Sequence, residues 1–325
     1  MNDKNIILIT GANGFIGSHL LNYYVNYHFN YKIIALYHSS NENIFNLKDK
    51  IDIVKCDITD KLSLNNLIQF YQPSTIFHLA ARSNIAESWI KDSETNEVNV
   101  NGTINLLEAI INLRSINKDY SPKILIASSG SVYGNIVSEY DINLEEDYST
   151  LPTNNYSKSK LEQEKIALHY SEIYNLKIII TRIFNTSGPR KNNDVLNDFV
   201  KRSLEIKKGI SENMKCGNLS SKRAILDIRD LISAFILLVN SENTSNIYNI
   251  SSGKIYQIAE IIPLIEEQLQ LKIETNTDSS LLRPTDDKIL IGNTNKLKLD
   301  TGWIEKFSII DTIQSIINFQ KQSDI

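Results

Sequence analysis

Cysteine is scarce in this chain: Cys56 and Cys216 are the two in 325 residues. Two isolated thiols supply neither a disulfide framework nor a zinc site, and both are expected to be buried structural thiols. No apolar run approaches the ~20 residues that cross a bilayer. The opening Met1-Asn2-Asp3-Lys4-Asn5 lacks the apolar core of a secretory signal. Positive charge is not in excess, with a net charge of −4 and a pI of about 5.8. That balance speaks against general binding to nucleic acid or to an anionic membrane, so any phosphate recognition must be local. What is present is a globular composition, 42% apolar and 22% charged, at a length that buries a large core as one α/β unit or two lobes. A cytoplasmic protein is expected, with no metal.

The most informative stretch is residues 6 to 20. Ile6 to Ile9 reads as a buried strand; Gly11, Gly14 and Gly17 follow, then an apolar, helix-permissive run through Leu21 to Val25. Strand, glycine turn and helix make a phosphate cradle. Glycine lets a pyrophosphate approach the backbone, and the N–H groups and positive dipole end of the helix face it. A dinucleotide is the expected ligand, at Gly11, Asn13, Gly14, Phe15, Ile16 and Gly17.

Further strands are expected at 32–36, 51–55, 74–79, 123–127 and 177–182, alternating with helices at 62–71, 93–113 and 155–174. That alternation predicts an α/β, Rossmann-type doubly wound parallel sheet, with residues 1–190 as the dinucleotide-binding domain. Residues 191–325 are expected to form a smaller C-terminal substrate-binding lobe, with some segments returning to the first. The second strand ends Leu36-Tyr37-His38-Ser39-Ser40, without the acid that holds ribose hydroxyls in NAD-binding units. His38 and Ser39 could instead hold a 2′-phosphate, which favours NADP(H) while leaving NAD possible, or Tyr37 and His38 pack on adenine. Asp57 could accept from an adenine amino group, with Ile58 beside it, or could cap the next helix. Leu79, Ala80 and Ala81 are small enough at the end of the fourth strand for a cofactor to lie against them.

Tyr156 and Lys160 are four apart on an expected helix and so share one face. With a serine at a nearby strand end they form a proton-transfer unit. The ammonium is expected to lower the tyrosine pKa, and the phenol exchanges a proton with a substrate alcohol while a nicotinamide carries hydride. The alternative is an amphipathic helix surface.

With these residues in order, the chain resembles the extended short-chain dehydrogenase/reductases that act on nucleotide sugars. Thr10 to Gly17, His78 to Ala81, Asn99 with Gly102-Thr103, Ser128 to Gly134, Tyr156 to Lys160, and Arg182 with Phe184-Asn185 and Gly188-Pro189 all match. The resemblance implies Ser129 as the catalytic serine, Tyr156 as acid/base, Lys160 as its partner, and Asn99 at the cofactor. His78 to Trp89, Gly217-Asn218-Leu219 with Lys222-Arg223, and Leu282-Arg283-Pro284-Thr285 look most like the GDP-sugar branch. It implies Arg223 and Arg283 as nucleotide and diphosphate ligands, which is favoured over the alternative of a surface ion pair at each. Ser83, Asn185, Arg190 and Asn218 join them at the substrate, and a homodimer through the helices near 95–113 and 156–174 is implied.

The resemblance also carries departures. Family dehydratases have an acid just after the catalytic Ser/Thr, which protonates the departing hydroxyl. Here Gly130 and Ser131 stand there, which speaks against dehydration. Ala224 stands where an Asp is usual. The expected activity is therefore reduction by NADPH of the C4 ketone of a GDP-6-deoxy-4-keto-hexose. An epimerase with tightly bound NAD is the alternative; a 4,6-dehydratase and a non-catalytic dinucleotide sensor rank below it.

Overall fold

The computed structural model describes residues 5–27, 30–134, 142–242, 247–281 and 290–323. Seven parallel strands form the central sheet: β1 (Ile6–Thr10), β2 (Lys32–Tyr37), β3 (Asp52–Lys55), β4 (Thr75–His78), β5 (Lys123–Ser129), β6 (Lys177–Ile183) and β7 (Ile247–Ile250). Their spatial order is β7-β6-β5-β4-β1-β2-β3. The chain winds outward from β1 to β3, then returns to place β4 on the other side of β1. The switch point therefore lies between β1 and β4, where open α/β sheets bind ligands at the carboxyl ends of their strands.

Alternation along each strand divides the core between the two faces. Ile7, Ile9, Phe77, Leu125 and Ile179 point to one face, against α1 (Phe15–Tyr27) and, further along the chain, α8 (Ile228–Asn240). Leu8, Ile76, Ile124, Ile126, Ile178 and Ile180 point to the other. They meet α2 (Lys61–Tyr71), α5 (Gly102–Ile116) and α6 (Asn155–Tyr174). These strands are buried on both faces, as a parallel sheet requires, which is why they read as unbroken apolar runs.

Two short helices, α3 (Ile85–Ile90) and α4 (Asp92–Asn96), follow β4. The single helix expected over 93–113 is interrupted: α4 passes through a π-helical turn at Glu97–Asn101 before α5 begins. Such turns interrupt helices where a side chain must be re-aimed, and here Asn99 is turned fully inward.

After residue 190 the chain occupies two places. α8 and β7 build onto the sheet, whereas α7 (Val195–Lys207), α9 (Ile258–Leu269) and α11 (Ile309–Ser323) pack through Leu196, Val200, Ile261, Ile265, Ile313 and Ile317 into a separate cluster. α10 (Asn295–Thr301) lies between them in sequence. Short two-stranded ladders decorate this part, among them 222–224 with 255–257 and 290–292 with 142–144.

Candidate active site

The turn between β1 and α1 fixes the first wall of the site. Gly11 has φ +64°, and a Cβ there would stand 2.7 Å from the backbone nitrogen of Ala80. A Cβ on Gly17 would stand 2.4 Å from the Gly11 carbonyl oxygen. Glycine is therefore required at both, once for the left-handed turn and once for close packing. The result is a bare backbone cradle at the start of α1, open to Leu79, Ala80 and Ala81 across the switch point. A dinucleotide pyrophosphate fits this donor set, which offers backbone N–H groups without a crowding side chain. Asn13 is clasped from outside: its Oδ1 accepts from the Asn43 N–H, and the Asn43 side chain donates to its carbonyl, both at 2.9 Å. Phe15 and Ile16 are half-buried at the first turn of α1.

Behind the cradle runs a buried hydrogen-bond chain. Thr10 Oγ1 accepts from the N–H groups of Leu79 and Ala80, both at 3.1 Å, so its own proton goes to His78 Nδ1 at 3.0 Å. That assigns the His78 proton to Nε2, which donates to Thr103 Oγ1 at 2.9 Å. Gln163 donates to the same oxygen, and its own carbonyl accepts from Lys160 Nζ at 3.0 Å. Burial, assisted by the Lys160 charge, pushes the His78 pKa down to about 3, so the ring is neutral. No local pattern announces this chain, because its members are 68, 25 and 60 residues apart.

Ser129, Tyr156 and Lys160 are brought together. β5 runs two residues further than expected and ends on Ser129. α6 begins with a reciprocal cap between Asn154 and Ser157, and the Tyr156 N–H donates to Ser88 Oγ at 3.2 Å. Lys160 is 3% exposed and donates to the Ala127 carbonyl at 2.8 Å as well as to Gln163. Burial lowers its pKa to about 8, opposed by the Glu164 charge. The Tyr156 pKa is shifted upward, opposite to the lowering expected from Lys160. Burial raises the Tyr156 pKa, and the opposing pull comes from the Ser129 hydrogen bond. The ammonium is held by the Ala127 and Gln163 oxygens.

The remaining expected residues are distributed more widely. Asp57 does not cap α2; Asp60 does, accepting from the Ser63 N–H at 3.1 Å. The Asp57 carboxylate instead accepts from Thr59 and lies 3.3 Å from His38 Nε2. An acid therefore stands beside the end of β2 after all, supplied by β3. Ser39 is exposed next to it. The Ile58 side chain belongs to the core, against Gly102. Asn99 lies behind the cleft wall, accepting from the Arg82 N–H and donating to the Arg82 carbonyl and Ser159 Oγ. It fixes the loop after β4.

Ser83 and Asn185 are exposed. The Asn185 carbonyl accepts from Leu226, just beyond Arg223. Arg190 is half-buried with φ +69°, and burial lowers its pKa. Asn218 Oδ1 accepts from the Ser220 N–H and hydroxyl, and Arg223 Nη1 donates to the Lys222 carbonyl. Arg283 lies outside the described residues. Among the described residues no His/Cys/Asp/Glu group could hold a metal, and no helix is long and apolar enough to cross a membrane. Both cysteines are free and buried.

The chain is similar to known proteins over nearly its whole length. The chain is 26% identical over 314 residues to the GDP-6-deoxy-D-mannose reductase of Pseudomonas aeruginosa, covering 96% of each chain. It is 27% identical to a putative UDP-glucose 4-epimerase of Methanocaldococcus jannaschii, covering 98% of this chain and 99% of the other. The solved structure of RMD from Pseudomonas aeruginosa complexed with NADPH superposes with a TM-score of 0.85 at 25% identity, covering 98% and 99% of the two chains. The family model for GDP-mannose 4,6 dehydratase matches residues 8–316. With the glycine cradle at the switch point and the Ser, Tyr and Lys beside it, the chain belongs to that family, the extended, NAD(P)-dependent short-chain dehydrogenase/reductases that act on nucleotide sugars.

Proposed function

We propose that the protein is an NADPH-dependent reductase of the C4 ketone in a GDP-linked 6-deoxy-4-keto-hexose. The observation that carries this reading is the turn after Ser129. A Cβ on Gly130 would stand 2.8 Å from the Phe184 ring, so that position has no room for a carboxylate. Ser131, the next position, is turned back onto Ser129. A 4,6-elimination needs an acid on the departing hydroxyl, and neither residue supplies one. Reduction needs none. The similarity to the Pseudomonas reductase, and to a structure complexed with NADPH, supports the same choice.

When bound, the nicotinamide supplies hydride to the carbonyl carbon. Ser129 and Tyr156 hold the carbonyl oxygen, and Tyr156 donates its proton as that oxygen becomes an alcohol. Lys160 places a fixed positive charge beneath the pair, with two of its protons on Ala127 and Gln163 and the third available to a ribose hydroxyl. Arg190, Arg223 and Arg283, with Ser83, Asn185 and Asn218, are assigned to the nucleotide sugar; arginine's planar fork suits a diphosphate. Leu168, Ile173 and Tyr174 on α6 and Ile116 on α5 are exposed, which suits a homodimer through these helices.

The second reading is a 4-epimerase that keeps its NAD. The Asp57 carboxylate, which follows β3 and lies beside His38 at the end of β2, favours it, because an acid there suits an unphosphorylated ribose. Mixing the protein with NADPH and GDP-4-keto-6-deoxymannose separates the two. Steady loss of NADPH absorbance, with a GDP-6-deoxyhexose identified by NMR, is the expected result. No loss, with stoichiometric NAD carried through purification, would select the epimerase.

A further inference from the structure

We propose that His38 and Asp57 act together as a proton-dependent selector of the dinucleotide, which accepts a 2′-phosphate when His38 is protonated and favours an unphosphorylated ribose when it is not. This rests on reading the glycine turn as a dinucleotide site and is independent of the sugar chemistry. The sheet register builds the pair. Tyr37 at the end of β2 lies opposite Lys55 at the end of β3, and the Cys56 N–H donates to the Tyr37 carbonyl at 2.9 Å. The residues that follow, His38 and Asp57, are thereby brought side by side. The Asp57 carboxylate is fixed from its own loop: Oδ1 accepts from the Thr59 N–H at 2.9 Å and from the Thr59 hydroxyl at 2.8 Å. Its Oδ2 is turned to His38, 3.3 Å from Nε2. The His38 side chain is 71% exposed, and among the described residues its Nδ1 makes no hydrogen bond. The end of β2 is where an adenosine ribose is held in sheets of this kind.

A neutral imidazole has one N–H, whereas the imidazolium has two. With Nε2 on Asp57, only the charged ring can also donate from Nδ1 to a phosphate. His38 then bridges two anions. Without that proton a 2′-phosphate would face the Asp57 carboxylate unshielded, and like charges repel. A ribose hydroxyl meets no such conflict, because it donates to the carboxylate in either state. NADPH binding therefore takes up a proton at His38 and weakens as pH rises, whereas NADH binding does neither. The neighbouring groups leave this task to His38. Asp60 is committed to the cap of α2, and the Cys56 thiol is buried against the Asp57 carbonyl. Lys55 and Glu42 are exposed. Asn13 and Asn43, clasped beside the cradle, carry no charge. The acid that suits NAD and the histidine that suits NADP are thus parts of one pair.

Dissociation constants for NADPH and NADH are read by cofactor fluorescence from pH ~7 to ~8.5, above the second pKa of about 6 of a phosphate monoester, at constant ionic strength. The NADPH constant is expected to rise about fivefold to tenfold per pH unit, tenfold being the limit for one linked proton, with the NADH constant unchanged. His38→Gln, at an exposed position, is expected to fold, to bind NADPH about fivefold more weakly at pH ~7 and to lose the slope. Calorimetry of NADPH binding in two buffers of different ionisation enthalpy is expected to show proton uptake in the wild type and none in His38→Gln. At pH ~8.5, Asp57→Asn is expected to shift preference toward NADPH. An NADPH constant independent of pH, or a slope that persists in His38→Gln, overturns the proposal and leaves the dinucleotide site in place. An unchanged preference in Asp57→Asn removes Asp57 from the selector and overturns the pair. Binding of neither dinucleotide overturns the cradle reading and this inference with it.

Discussion

Glu164 and Arg182 are paired inside the protein, 2.8 Å apart, with side chains 2% and 5% exposed. Glu164 lies one helical turn beyond Lys160, and Arg182 lies at the end of β6 opposite Ser128 in the sheet register. Glu164 also accepts from Ser128 Oγ at 2.5 Å, and Arg182 donates to the Tyr133 hydroxyl at 2.9 Å. The pair thus ties α6 to both strands that frame the reacting groups. Removing one member strands a buried charge, which typically costs about 3–5 kcal/mol. Arg182→Met is expected to lower unfolding stability by that order in urea titrations. Arg182→Met with Glu164→Leu is expected to cost less than Arg182→Met alone. Equal costs for the single and double variants would mean that the pair is not electrostatically coupled.

Tyr156→Phe removes the hydroxyl that the proposed chemistry protonates through. General acid catalysis contributes about 10²- to 10⁴-fold, and a loss of that size in kcat is expected, read by NADPH absorbance. NADPH binding, read by its fluorescence, is expected to stay close to wild type, because Tyr156 is assigned to the substrate oxygen. Retained turnover would remove Tyr156 from the mechanism.

How far the sequence announced this depends on the range of each interaction. The strands and the glycine turn were legible because they are local: a run such as Lys123–Ala127 carries its own burial pattern, and Gly11 and Gly17 lie within a segment seven residues long. α6 was also readable end to end as 155–174, and the structure closes it with a cap at Asn154 and a left-handed stop at Asn175. What escaped was the partner of each polar side chain. The π-helical turn directs Asn99 at the Arg82 backbone and Ser159, partners that no local spacing shows. Asp57 reads as a cap until Asp60, three residues on, takes that role. The pull of Lys160 on Tyr156 is expected from their spacing, whereas the Ala127 carbonyl and Gln163 Oε1 that accept from the ammonium are shown by no spacing. The ring of Phe184, which faces both Gly130 and Gly292, joins three segments that no local pattern connects.

Gly17→Ala tests the cradle itself. The added methyl would stand 2.4 Å from the Gly11 carbonyl oxygen and 2.8 Å from the Ala12 Cα, and backbone cannot swing aside as a long side chain can. Overpacking of this kind costs about 1–3 kcal/mol, and the displaced turn is expected to weaken NADPH binding at least about tenfold. Gly14→Ala is the contrast. Its Cβ would meet the Gly11 oxygen at 3.2 Å, so the fold is expected to survive with a smaller loss of stability. Unaltered NADPH affinity in Gly17→Ala would place the dinucleotide elsewhere.

His78 makes the structure sensitive to acid. Its folded-state pKa is depressed to about 3 from an ordinary 6.5, mainly by burial. Burial likewise depresses His19 to about 4; its Nε2 lies 2.9 Å from the Pro189 carbonyl oxygen. Between these values and 6.5 the unfolded chain binds protons that the folded one refuses, so stability falls as the solution is acidified. The contribution is fully present above 6.5 and is lost progressively as pH drops toward the folded pKa values. Each refused proton adds a slope of about 1.4 kcal/mol per pH unit. The neutral ring is also the one that the network needs, because Nδ1 must accept from Thr10 while Nε2–H donates to Thr103. Urea titrations at a series of pH values below 6.5 are expected to show this decline, and His78→Asn, though less stable throughout, is expected to show a shallower one. An identical slope in His78→Asn would mean that His78 protonates in the folded protein as easily as in the unfolded chain.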